Sequence, residues 1–86
     1  MKEFKDLEFK DLPDYRGIQC RIQFENGFGA SVIRHEHTYG GKDGLYELAV
    51  LDSDGEITYD TSVTDDVVGY LNEEGVTELL KGIQLL

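Results

Sequence analysis

Eighty-six residues, 40% of them apolar, with four Phe, five Tyr and no Trp, are enough for one small domain spanning residues 1–86 with a modest core. Eighteen acids against eight Lys and Arg give a net charge of −10, which argues against direct contact with nucleic acid or an anionic membrane. The single cysteine excludes an internal disulfide, and no run reaches the roughly 18 apolar residues of a membrane span.

The chain starts with Met and shows no apolar h-region, so no secretory signal and a cytosolic location are expected. Charge is spread unevenly. Residues 1–42 balance seven acids against seven bases, whereas Asp43–Leu80 holds eleven acids and no Lys or Arg. A solvated surface is the ordinary fate of such carboxylates; a docking face for a basic partner is the alternative.

EFKDL occurs twice in tandem, at Glu3–Leu7 and Glu8–Leu12, too short and too few for a repeat architecture. Leu7 and Phe9 alternate with Glu8 and Lys10, which predicts a short strand ended by Pro13. Ile18–Phe24 predicts the clearest strand, with Ile18, Cys20, Ile22 and Phe24 on a buried face and Gln19, Arg21 and Gln23 opposite. Asn26-Gly27 signals a hairpin. The return strand is predicted from Phe28 to about His37, with Ser31, Ile33, His35 and His37 on the outer face. Thr38–Gly44 reads as a permissive glycine loop. Leu45–Leu51 is nearly all apolar and predicts a central strand covered on both faces. Asp52–Gly55 is a turn with Gly55 at positive φ, and Glu56–Thr61 is expected to return as a strand.

The end reads as helical. Thr64 is a candidate N-cap, followed by Asp65 and Asp66 and an apolar stripe of Val67, Val68 and Leu71 weakened by Gly69. Asn72 caps a second helix opening with Glu73 and Glu74, and Val76, Leu79, Leu80 and Ile83 form its apolar face. Strands first and helices last predict an α+β fold: an antiparallel β-meander of four to five strands with one or two C-terminal helices packed on one face.

No pattern completes an active site. His35 and His37 could co-ligate a metal from one strand face, but a zinc site needs three or four ligands. Asp52–Glu56 is too short for a calcium loop. Neither glycine-rich segment leads from a strand into a helix, so a phosphate cradle is not expected, and Lys42 alone is thin evidence for an anion. Cys20 is predicted to face inward, away from both histidines, and so to be inert. No enzyme activity, cofactor or metal is expected. The candidate partner-binding surface is the loop at Tyr39 and Lys42 with His35 and His37, while Asp65, Asp66, Glu73 and Glu74 would supply steering.

The stretches Phe24-Glu25-Asn26-Gly27-Phe28-Gly29-Ala30-Ser31-Val32-Ile33-Arg34, Tyr39-Gly40-Gly41, Gly44-Leu45-Tyr46-Glu47-Leu48-Ala49-Val50-Leu51 and Tyr59-Asp60-Thr61 resemble a group of short uncharacterised proteins of tailed bacteriophages. The resemblance runs from about Leu7 to the end and carries no assigned activity. It implies the cytoplasm of an infected bacterium and, by analogy with small acidic phage proteins, a host or phage protein as partner. Inhibition of a host or defence enzyme would follow from that. A DNA mimic built on the acidic half, or a self-associating protein paired through a sheet edge or Leu79–Leu86, are the alternatives.

Overall fold

Apolar alternation around Ile18–Phe24 seeds the sheet. The computed structural model describes residues 1–86 and contains five antiparallel strands: β1 (Lys10–Leu12), β2 (Gly17–Gln23), β3 (Gly29–Arg34), β4 (Tyr46–Leu51) and β5 (Val68–Leu71). Their spatial order is their chain order, β1-β2-β3-β4-β5, and one helix, α1 (Glu73–Gln84), covers one face. This is an α+β meander. No helix is long and apolar enough to cross a membrane.

Register fixes which side chains meet α1. Cys20 faces Val32, Ile22 faces Ala30, Val32 faces Leu48 and Ala30 faces Val50. Ala30, Val32, Tyr46, Leu48 and Val50 therefore join Val76, Leu80 and Ile83 of α1 in one buried cluster. Each large side chain in it contributes about 1.5–3 kcal/mol. α1 lies mainly over β3 and β4. Ile18, Ile22 and Phe24 pack at the cluster's margin, as does half-buried Leu79. The expectation that the β2 row lies directly beneath the helix is thus only partly met.

The amino-terminal segment fills the gap. Phe4 N donates to Thr77 Oγ1 at 2.9 Å, and the Gln84 side chain bonds both the amide and the carbonyl of Lys2. Phe4, Phe9 and Tyr46 form an aromatic triangle with centroids 5.1–5.6 Å apart. The two EFKDL copies adopt different structures. The first contains a 3-10 turn at Phe4–Asp6; the second runs into β1. Both phenylalanines reach the same core, so packing rather than local sequence decides the conformation. The strand expected at Leu7–Lys10 starts later, because Leu7 and Phe9 are drawn into the core while Lys10–Leu12 pair with Gly17–Gln19.

On the other face, Gln19 donates to Ser31 Oγ, Arg21 to Gly55 O and Gln23 to Asp52 O. These long side chains of β2 reach across the sheet beside Ser31, Ala49 and Leu51, all buried. β4 is thereby covered on both sides, as its apolar run implies.

Three further expectations need correction. β3 stops at Arg34 and does not reach His37, because Thr38 Oγ1 accepts from His35 N and donates to His35 O, turning the chain. No strand spans Glu56–Thr61: Gly55 takes its positive φ, 78°, but only Ile57 bridges Leu51. Thr61 Oγ1 then accepts from Val63 N and Thr64 N and bends the chain away. Finally, residues 64–71 form no helix. Thr64 Oγ1 accepts from Asp66 N in a local turn, and Val68 and Leu71 pair with Leu48 and Tyr46 in β5. Val67, Val68 and Gly69 are poor helix formers, and the free edge of β4 supplies partners that a short helix would lack.

Candidate functional site

The loop between β3 and β4 gathers four of the eight predicted partner-binding residues, and it is not slack. Thr38 N bonds His35 O, Gly41 N bonds Thr38 O, and Asp43 N and Leu45 N both bond Gly40 O, at 3.0–3.1 Å. Gly41–Asp43 is a 3-10 turn. The expected permissive loop is a chain of interlocked turns.

At its start, His35 stacks on the exposed Tyr15 ring with centroids 5.1 Å apart, and the His37 ring stands edge-on to His35 at 6.0 Å. His37 N donates to His35 Nδ1 at 3.0 Å. Glu36 Oε1 lies 3.4 Å from His37 Nε2. No group of three or more His, Cys, Asp and Glu side chains is placed to hold a metal ion.

Tyr39 and Tyr70 form the second feature, and Tyr70 was missed because the sequence placed it in a helix. Tyr39 is 60% and Tyr70 66% exposed. Tyr39 N donates to Glu47 Oε2 at 2.9 Å, and Tyr39 O accepts from Tyr70 N at 3.1 Å. A Cβ on Gly69 would collide with Tyr39 Cβ, and one on Gly40 would sit 3.0 Å from Tyr70 Cα and Cδ1. Each tyrosine lies against the glycine beside the other. Tyr70 has φ 57°, in the left-handed region that costs a non-glycine residue about 1–2 kcal/mol.

The acidic candidates are dispersed. Asp65, Asp66, Glu73 and Glu74 are exposed, and none shares an ion pair with the loop. Glu73 and Glu74 open α1, where the helix dipole favours them, beside Glu3 and Glu78. Asp65 and Asp66 precede β5. Lys42 is exposed beside Arg16 and Arg34.

Cys20 is buried, and burial pushes its thiol pKa up; a hydrogen bond from the Glu8 backbone works in the opposite direction with less effect. Neither histidine lies on a strand with it. No protein-family model, curated protein or solved structure matches the chain.

Proposed function

We propose that the chain is a protein-binding module that engages its partner through the corner formed by residues 35–45 and 69–70, with Tyr39 and Tyr70 as anchors. The observation that carries this reading is the reciprocal packing of two exposed tyrosines against Gly69 and Gly40, joined by a main-chain hydrogen bond. Tyrosine offers a large, rigid contact with a polar tip, and a ring already held in place loses little entropy on binding. Tyr70 keeps a left-handed backbone that Gly or Asn would adopt at lower cost. His35, His37 and Tyr15 extend the surface on one side. Asp65, Asp66, Glu73 and Glu74 steer a basic partner and add salt sensitivity more than affinity. In the bacteriophage setting that the resemblance implies, the partner is a host or phage protein in the cytoplasm, with inhibition of a host or defence enzyme as one outcome.

Capture from bacterial lysate tests this when wild type is compared with Tyr39→Ala/Tyr70→Asn, Asn being chosen because it tolerates the left-handed backbone. The reading expects a partner retained at high salt by wild type and reduced at least tenfold by the folded double variant. A loss below threefold removes the tyrosines as anchors. If charge reversal at Asp65 and Asp66 abolishes capture instead, the DNA mimic replaces this reading.

A further inference from the structure

We propose that the groove between the turn at residues 13–17 and the loop at residues 35–42 binds a phosphate-class oxyanion through Arg16, Arg34 and Lys42. This goes beyond the partner-binding reading and does not depend on it. The groove is an open depression lined by those three cations, by His35, and by Asp11 and Glu36. Three of the chain's eight Lys and Arg line this one concavity, all from the charge-balanced first half of the sequence. None of the three lies within ion-pair distance of a carboxylate; among Lys and Arg only Lys5 does, with Glu3. In a chain with carboxylates to spare, cations left unpaired around a groove hold a positive local potential available to an external anion.

Two of the three cations are positioned by the fold. Arg34 ends β3, with its guanidinium carbon 4.9 Å from the centre of the Tyr46 ring and Nη1 donating to the Tyr46 hydroxyl at 3.1 Å. That contact holds the guanidinium against Tyr46, and its other N–H groups make no hydrogen bond within the chain. Arg16 takes a φ of 54°, a conformation that persists only where the surroundings impose it. The next residue, Gly17, is pressed so closely on the Arg34 carbonyl and His35 that a Cβ would collide with both. The turn carrying Arg16 is therefore seated directly on the end of β3. Lys42 supplies a third, mobile charge.

Two guanidinium forks and an ammonium match a tetrahedral dianion better than a single planar carboxylate. Among the residues that line the groove, three cations stand with two carboxylates, Asp11 and Glu36. The molecule measures 31 × 23 × 20 Å, so carboxylates on its far side lie beyond the Debye length of about 8–10 Å and weaken binding little.

The test titrates inorganic phosphate into the full chain at pH 7, with sodium chloride holding ionic strength constant, and follows backbone amide NMR shifts. Saturable shifts are expected at Arg16–Gly17, Arg34–His35 and Gly41–Lys42. Arg16→Gln/Lys42→Gln should weaken affinity at least fivefold; both side chains are exposed, and unchanged shifts elsewhere would verify the fold. Lys81→Gln, a cation on α1 outside the groove, should leave affinity unchanged. Acetate should bind at least fivefold more weakly than phosphate. Shifts linear in phosphate, an affinity that survives the double substitution, or equal binding of acetate would each overturn the proposal.

Discussion

Tyr39 and Tyr70 lock each other in place: Tyr39 rests on Gly69, Tyr70 rests on Gly40, and the Tyr70 amide donates to the Tyr39 carbonyl at 3.1 Å. The β3–β4 loop is thereby fastened to the edge strand β5. The same bond occupies an amide that an edge strand would otherwise offer to another chain.

Gly69→Ala tests the lock. Gly69 does not have a positive φ, so in open space the change would stabilise the chain by about 0.4–1 kcal/mol through the unfolded state. Here the added Cβ meets Tyr39 Cβ and Cγ, and a net loss of about 1–3 kcal/mol is expected. Urea unfolding reads the sign directly. A gain in midpoint would mean that the loop is not seated on β5.

Much of this architecture is legible in the sequence, and the misreadings share a cause. The patterns at Ile18–Phe24 and Leu45–Leu51 suffice to announce β2 (Gly17–Gln23) and β4 (Tyr46–Leu51), and Asn72 caps α1 because its side chain needs only the Gly75 amide, at 2.7 Å. Residues 64–71 misled because Thr64 followed by two aspartates imitates a helix start, while the deciding partner, the edge of β4, lies about twenty residues earlier. Tyr39 and Lys42 were legible as loop residues, whereas His35 and His37 were read as the end of a strand that in fact stops at Arg34. Tyr70 and Arg16 were not: their left-handed backbones arise from contacts with Gly40 and the end of β3, which no local pattern announces. Lys42 looked isolated for the same reason.

Helix docking is graded along α1. Leu80 is fully buried, so Leu80→Ala should cost about 2–5 kcal/mol. Leu79 is only half-buried at the margin of the same cluster, and Leu79→Ala should cost about 1 kcal/mol. Equal shifts in denaturation midpoint for the two variants would show that α1 is rotated from the orientation described.

Two asparagines hold opposite ends of α1 with opposite groups. Asn72 Oδ1 accepts from Gly75 N, whereas Asn26 Nδ2 donates to Ile83 O at 2.8 Å and Leu86 O at 3.3 Å. Aspartate should therefore be tolerated at 72, where an acceptor meets the positive end of the dipole. At 26 it would remove the donor and set a carboxylate against terminal carbonyls, costing about 1–3 kcal/mol. Chemical denaturation of Asn72→Asp and Asn26→Asp should separate them, and an equal effect would refute the assignment of Asn26 as the carboxy-terminal cap.

Cys20 supplies a pH signature. Burial keeps its thiol protonated to higher pH in the folded chain than in the unfolded one, for which the ordinary value is 9.0. Below 9.0 both states hold the proton and the contribution of this group to stability is fully present. Above that value the unfolded chain loses its proton first, so stability falls as pH rises toward the folded value. The difference in stability between wild type and Cys20→Ala should be flat below 9.0 and turn against wild type above it. The same burial predicts slow alkylation by iodoacetamide at pH 8, accelerated by urea in step with unfolding, because the thiolate and not the thiol attacks. Alkylation of the folded chain as fast as that of a free cysteine would show that Cys20 is open to solvent.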